Sequence, residues 1–174
     1  MGHVIQTASP NDIPRIFEIS STLHRFHYDQ LIDNEHKAEF LAHYQDSQNK
    51  ERFTQAVLRK LSDPSYTLLT LLTDGLIAGY ISIQQDDARN ATLHSLFVDA
   101  AYQGKGFGAA LMSEIVKRFG NKHLTLEVLK KNERAIRLYE TFDFIPVAAP
   151  SDATFYGAPL LVMTRPPKAS RTDI

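Results

Sequence analysis

The chain has 174 residues, with 19 Lys+Arg, 20 Asp+Glu, no Cys and no Trp, a length that suits one domain with its own hydrophobic core. A formal net charge of -1 lacks the basic excess of a general nucleic-acid binder. The absence of cysteine excludes disulfides, a thiolate nucleophile, a Cys-based zinc site and an acyl-cysteine intermediate. No apolar run approaches the roughly 18 residues of a membrane span. The first ten residues lack a cationic segment followed by an apolar core, which predicts a cytoplasmic protein without a signal peptide. Charge is uneven along the chain: residues 1–98 carry 8 Lys+Arg against 12 Asp+Glu, and residues 99–140 carry 8 against 5.

Residues 3–8 (HVIQTA) partly alternate and read as a first strand. Ser9-Pro10-Asn11-Asp12 reads as a helix start, with Ser9 as cap, Pro10 in the first helical position and Asp12 as the returning acid. Ile13, Ile16, Phe17 and Leu23 share a helical face. Residues 24–36 are polar and irregular and predict a break. Their His24 and His27, three apart, lack the further ligands that zinc needs. Phe40, Leu41 and Tyr44 predict a helix over 37–44, and residues 46–50 a polar interruption. Phe53, Val57 and Leu61 predict a further helix, ended by Asp63-Pro64. Residues 66–73 (YTLLTLLT) are ambiguous by composition, but Asp74-Gly75 makes them one arm of a hairpin. Residues 76–84 return, 86–90 turn, and 92–98 (TLHSLFV) add a third strand to this meander.

A glycine-rich stretch, 103–108, opens directly into a helix with Phe107, Leu111, Ile115 and Phe119 inward, stopped by Gly120-Asn121. A strand at 124–129, a helix at 132–142 and strands at 144–148 and 160–165 complete the order. The polar, proline-bearing residues 166–174 predict a disordered tail. The whole reads as one α/β domain over 1–165 on a mixed sheet.

The chemistry concentrates in residues 96–111 (LFVDAAYQGKGFGAAL), where a strand ends, a glycine turn follows and a helix begins. Glycines let backbone approach a ligand, and a helix start offers unpaired N–H groups and a positive dipole end, which together suit phosphate. A P-loop would need Ser or Thr after Gly-Lys, and Gly106 stands there. A dinucleotide fingerprint would need glycines at the first, third and sixth positions, whereas Gly104, Gly106 and Gly108 step by two.

Gln103-Gly104-Lys105-Gly106-Phe107-Gly108 instead resembles the acetyl-CoA signature of the GCN5-related N-acetyltransferase (GNAT) family. The strand Leu96-Phe97-Val98 before it, and Asn132, Ala135 and Leu138-Tyr139-Glu140 after it, match the family's flanking regions. The resemblance covers nearly the whole chain. It implies a mixed, mostly antiparallel twisted sheet of about seven strands flanked by about four helices, with strands 4 and 5 splayed. It also implies acetyl-CoA as cosubstrate, no metal, and direct acetyl transfer to the primary amine of a small molecule or peptide. Backbone N–H groups from Gln103 to Gly108, those of Lys105 and Phe107 included, would hold the pyrophosphate. Leu96, Phe97 and Val98 would line the pantetheine arm, with a Val98 N–H polarising the acetyl carbonyl. Asn132 would bond the arm, and Tyr139 would protonate the leaving thiolate. Beside these roles stand plainer ones: Tyr139 as a core tyrosine, Asn132 as a helix cap, Lys105 as a solvated loop lysine.

Strand alternation predicts His94, Leu96 and Val98 on one face, and His94 is the candidate general base, the plain alternative being a structural histidine. Phe26, Tyr28 and Tyr156 are candidates for the acceptor pocket, and Glu127 is either a base or an anchor for the acceptor amine. Asp143-Phe144 stands where the family has Gly-Phe, putting an aspartate at a position that favours a left-handed backbone. The acidic first half favours a cationic acceptor by steering. A homodimer is compatible with the family, and no nucleic-acid or membrane partner is expected. A non-catalytic acyl-CoA sensor on the same fold is the alternative function.

Overall fold

The computed structural model describes residues 2–26, 31–32, 34–45, 47–148 and 153–168, with the side chains of 25, 26, 43–45, 47 and 48 outside that description. In chain order the elements are β1 (His3–Thr7), α1 (Ile13–Phe26), α2 (Asn34–Gln45), α3 (Ser47–Ser62), β2 (Tyr66–Thr73), β3 (Leu76–Gln85), β4 (Asn90–Val98), α4 (Phe107–Phe119), β5 (His123–Leu129), α5 (Glu133–Glu140), β6 (Ile145–Val147), β7 (Thr154–Phe155) and β8 (Ala158–Arg165). The sheet runs β1-β2-β3-β4-β5-β8-β6, with β7 added beside β8. Every pairing is antiparallel except β4 with β5.

Local signals explain most of these elements. The Ser9 N–H donates to the Asp12 carboxylate at 2.7 Å, closing the start of the first helix. Asp74 and Gly75 have φ 51° and 75° between paired Thr73 and Leu76, the primed two-residue turn that matches strand twist. Asp143 adopts φ 65°, the left-handed geometry expected where the family carries glycine. Two expectations are corrected. Residues 47–50 are the first turn of α3 and not an interruption, because a polar run continues a helix wherever one face of it meets solvent. The late loop contributes a short extra strand, β7, turned onto β8 by Tyr156-Gly157.

The two faces of the sheet bury separate cores. Leu111, Met112 and Ile115 of α4 and Tyr139 of α5 pack on Leu69, Ile81, Leu93 and Leu126. Ile13, Ile16, Ile19 and Leu23 of α1 and Val57 of α3 pack on Leu68, Ile77 and Tyr80 of the other face. A third cluster, Ile32, Phe40, Leu129 and Ala158, fixes α2 against β5 and β8. Arg165 is 1% exposed, its Nε donating to Phe142 C=O at 3.0 Å and its Nη1 to Gly120 C=O at 3.4 Å. A cation thus satisfies the carbonyls that end both α4 and α5. Lys168, beyond β8, donates its N–H to Gly120 C=O at 2.8 Å, and residues 169–174 lie outside the described residues.

Candidate active site

β4 and β5 pair only from Asn90 and His123 to Leu93 and Leu126. Beyond that, β4 follows β3 to Val98 and β5 follows β8 to Leu129, so the two strands part. Hydrogen-bond parity decides what faces the gap. The Asp99 N–H donates to Ala78 C=O, so Phe97 bonds to β3 while Leu96 and Val98 turn their N–H and C=O groups into the gap. The Lys130 N–H donates to Pro159 C=O, so Val128 bonds to β8 while Glu127 and Leu129 face the gap. Gln103 Nε2 donates to Val98 C=O at 3.0 Å, and Asn132 N–H to Leu129 C=O at 2.8 Å. The groups of Leu96, the Val98 N–H and the groups of Glu127 are left as an open strand edge on either side.

The glycine turn closes one end of this gap. Asp99 accepts the Ala101 N–H at 2.9 Å and starts a short 3₁₀ turn. Gly104 and Gly106 then take φ 78° and 83°, and Gly106 caps α4. The first intrahelical bond runs from Ala110 N–H to Gly106 C=O, so the N–H groups of Phe107, Gly108 and Ala109 point out of the helix without an intrahelical partner. A Cβ on Gly108 would meet Leu138 Cδ2 at 3.3 Å, so that glycine also lets α4 approach α5. The Phe107 side chain is buried in the core, which leaves that residue only its backbone for a ligand. The Gln103 amide is oriented from behind: its Oε1 accepts Arg134 Nη1 at 2.6 Å. A cavity of about 550 Å³ lies here, lined by Leu96, Val98, Gly104, Gly106, Gly108 and Tyr139, with Lys131 and Arg134 supplying positive charge. Lys105 does not line it; its Nζ lies 5.0 Å over the Tyr102 ring.

A second cavity, about 560 Å³, lies along β4, β5 and β8, with His24 of α1 on its wall. Leu96, Phe97, Asn132, Ala135 and Tyr139 line both. Tyr139 is 7% exposed and stands where the two meet. Asn132 caps α5, its Oδ1 accepting the Ala135 N–H at 3.2 Å, so its amide nitrogen is the end left for the gap.

The structure changes the predicted geometry of His94. Ile83 pairs Leu93 and Ser82 pairs Ser95, so His94 is the extra residue of a β-bulge and the alternation breaks there. Leu93, Leu96 and Val98 pack toward α4 and α5, while His94 stacks 5.6 Å from Tyr66 on the opposite face. Its Nε2 sits 3.2 Å from Gln84 Oε1; in the tautomer that donates this bond the lone pair is on Nδ1. Burial, then the Lys60 ammonium, hold the imidazole below its ordinary pKa against the opposing pull of Asp86 and Glu127. His94 and Glu127 both line the second cavity.

Among the acceptor candidates, Tyr156 lines neither cavity: it packs on Phe40 and Phe155 at ring distances of 5.2 and 5.0 Å. The ring that lines the wall is Phe155, with His24 facing Phe97 at 5.1 Å. Tyr156 sits at φ 47° in the β7–β8 turn. Tyr28 and the Phe26 side chain lie outside the described residues. Among the described residues no three His, Asp or Glu side chains gather as a metal site, and no helix is long and apolar enough to cross a membrane.

Residues 29–144 match the model of the acetyltransferase (GNAT) family. The chain belongs to the GNAT family. An uncharacterized N-acetyltransferase of Mycobacterium tuberculosis is 36% identical over 87 residues, 48% of this chain and 56% of that protein. The chain thus spans little more than half the length of such curated relatives. The [ribosomal protein bS18]-alanine N-acetyltransferase of Escherichia coli is 24% identical over 145 residues, 82% of this chain and 80% of that one. The crystal structure of PaiA N-acetyltransferase from Thermoplasma acidophilum, in complex with coenzyme A, matches 95% of this chain and 99% of its own. Its TM-score is 0.74 at 19% identity. YncA of Salmonella typhimurium with acetyl-CoA gives 0.65 at 21%, over 94% of this chain and 92% of that one. Of the residues singled out in the sequence, the glycine turn, Asn132 and Tyr139 line the first cavity. Arg134 and Phe155 line these walls without having been singled out; Arg134 had a signal, being the cation in the first turn of the helix that follows the Asn132 cap.

Proposed function

We propose that this GNAT protein is an acetyl-CoA-dependent N-acetyltransferase acting on a primary amine by direct attack in a ternary complex. The observation that carries the reading is the meeting of two cavities at the β4–β5 gap, one backed by an open helix N-terminus and the other by Glu127 and His94, with Tyr139 between them. The N–H groups of Phe107, Gly108 and Ala109, with the glycine turn, receive the pyrophosphate. Leu96, Val98 and Glu127 offer strand-edge groups to the amides of the pantetheine arm, and Asn132 adds its amide nitrogen.

Glu127 holds the incoming ammonium. His94 Nδ1, neutral near pH 7, takes its proton through water. The free amine nitrogen forms a bond to the thioester carbonyl carbon, and the Val98 N–H stabilises the charge that develops on the carbonyl oxygen. The carbon–sulfur bond breaks, the Tyr139 hydroxyl gives its proton to the departing thiolate, and the second proton of the attacking nitrogen passes through water to restore that hydroxyl, so that an amide and a thiol leave. Positioning two reactants in one gap supplies much of the acceleration. No acyl-enzyme step is needed, in keeping with a chain that has no cysteine.

Thiol release on mixing protein, acetyl-CoA and a panel of amines tests the reading. Release that depends on the amine, with a product heavier by one acetyl group, supports it. Binding of acetyl-CoA without release for any amine favours the sensor function instead.

A further inference from the structure

Resting on that reading, the inference concerns which amine fills the second cavity. Its walls are apolar or aromatic: Phe97, Leu129, Phe155, Leu160 and Val162, with the His24 ring facing Phe97. The polar groups come mainly from β4 and β5, with His24, Asn132 and Tyr139 beyond them. Glu127 is the only carboxylate lining the cavity among the described residues, and it makes no hydrogen bond or ion pair there. No Lys or Arg lines this cavity among the described residues; Lys131 and Arg134 line the other one. Register explains the separation: Glu127 alternates with Leu126 and Val128, which enter the α4–α5 core, so its side chain emerges on the acceptor face beside its cross-strand partner Val162.

We propose that the acceptor is a small primary amine on an apolar, ring-bearing body, with no carboxylate on the carbon that carries the nitrogen. The unpaired Glu127 carboxylate matches an ammonium. Rings and branched aliphatic chains on the far wall match an apolar body, and the volume, about 560 Å³, is that of a small-molecule site. A free amino acid would bring a second charge. Its carboxylate would lie close to Glu127 and, among the described residues, would find no Lys or Arg on these walls, so the site discriminates by setting like charges together.

Phenethylamine, phenylalaninamide and phenylalanine share a ring and differ in what stands beside the nitrogen. We expect kcat/KM for phenethylamine and for phenylalaninamide to exceed that for phenylalanine by at least about tenfold, the scale of setting a second carboxylate beside the exposed Glu127 carboxylate. Glu127→Gln should raise KM for phenethylamine and shrink that preference toward unity, a loss of selectivity that a merely structural defect would not produce. Calorimetry of the same compounds with CoA-loaded protein separates the two readings. If the amines bind and phenylalanine does not, the acceptor inference stands even where no transfer occurs and the catalytic reading fails. Equal or better use of phenylalanine overturns the inference, as does preferential acetylation of a peptide with amino-terminal phenylalanine over phenethylamine. Binding of none of the three also overturns it.

Discussion

Gly106→Ala isolates the pyrophosphate turn from the rest of the fold. Gly106 has φ 83° and nothing within 4 Å of an added Cβ, so the substitution meets backbone strain and no steric wall. A left-handed conformation costs an L-residue about 1–2 kcal/mol. In the free protein the turn can relax; to hold a pyrophosphate it must return to the strained shape, so the cost falls on binding. At about 1.4 kcal/mol per decade, acetyl-CoA affinity should drop roughly 5- to 30-fold. Gly75→Ala is the matched control: φ 75°, again nothing within 4 Å, but in the β2–β3 hairpin. It carries similar strain and should lower stability without touching affinity. Isothermal titration with acetyl-CoA reads the affinity, and urea unfolding reads the stability. Affinity unchanged within about twofold in Gly106→Ala would refute the assignment of this turn as the anion cradle. An equal loss of affinity in both variants would show that the effect is global.

Three further outcomes are expected. Tyr139→Phe removes one hydroxyl where the cavities meet, and steady-state kinetics should show kcat reduced about 10²–10⁴-fold with the KM for acetyl-CoA little changed. His94, whose folded pKa lies below its ordinary value, binds more protons when unfolded. Its contribution therefore destabilises the fold as pH falls through and below about 6.5 and vanishes above it; His94→Gln should flatten the fall in stability between pH 7 and 5 measured by urea titration. Arg165→Met leaves the Phe142 C=O without its Arg165 donor and the Gly120 C=O with the Lys168 N–H alone. It should cost about 2–4 kcal/mol of unfolding free energy with m unchanged.

Elements written by short-range chemistry were legible in the sequence. The Ser9–Asp12 box, the Asp74-Gly75 turn and the step from glycine turn to α4 each depend on residues within a few positions of one another. The β4–β5 gap and the place of Tyr139 beside it were expected from the family resemblance that the glycine turn and Asn132 carry. The bulge at His94 was not legible, because it is a mismatch between two strands, ten residues apart along the chain, and neither strand carries a glycine there. That single extra residue reverses the face of His94, and it turns an expected neighbour of Leu96 into a neighbour of Glu127. Tyr156 failed for a similar reason: a bulky residue at φ 47° is held by the aromatic cluster of Phe40 and Phe155, which only the tertiary fold assembles. Both misreadings lie on the acceptor side, where loops and early helices converge.

The central claim is transfer within a ternary complex at the β4–β5 gap. Initial rates of thiol release, measured while acetyl-CoA and phenethylamine are varied together, test it most directly. The account predicts lines that intersect in a double-reciprocal plot and no release when the amine is omitted. Parallel lines, with stoichiometric acetylation of the protein in the absence of amine, would contradict it.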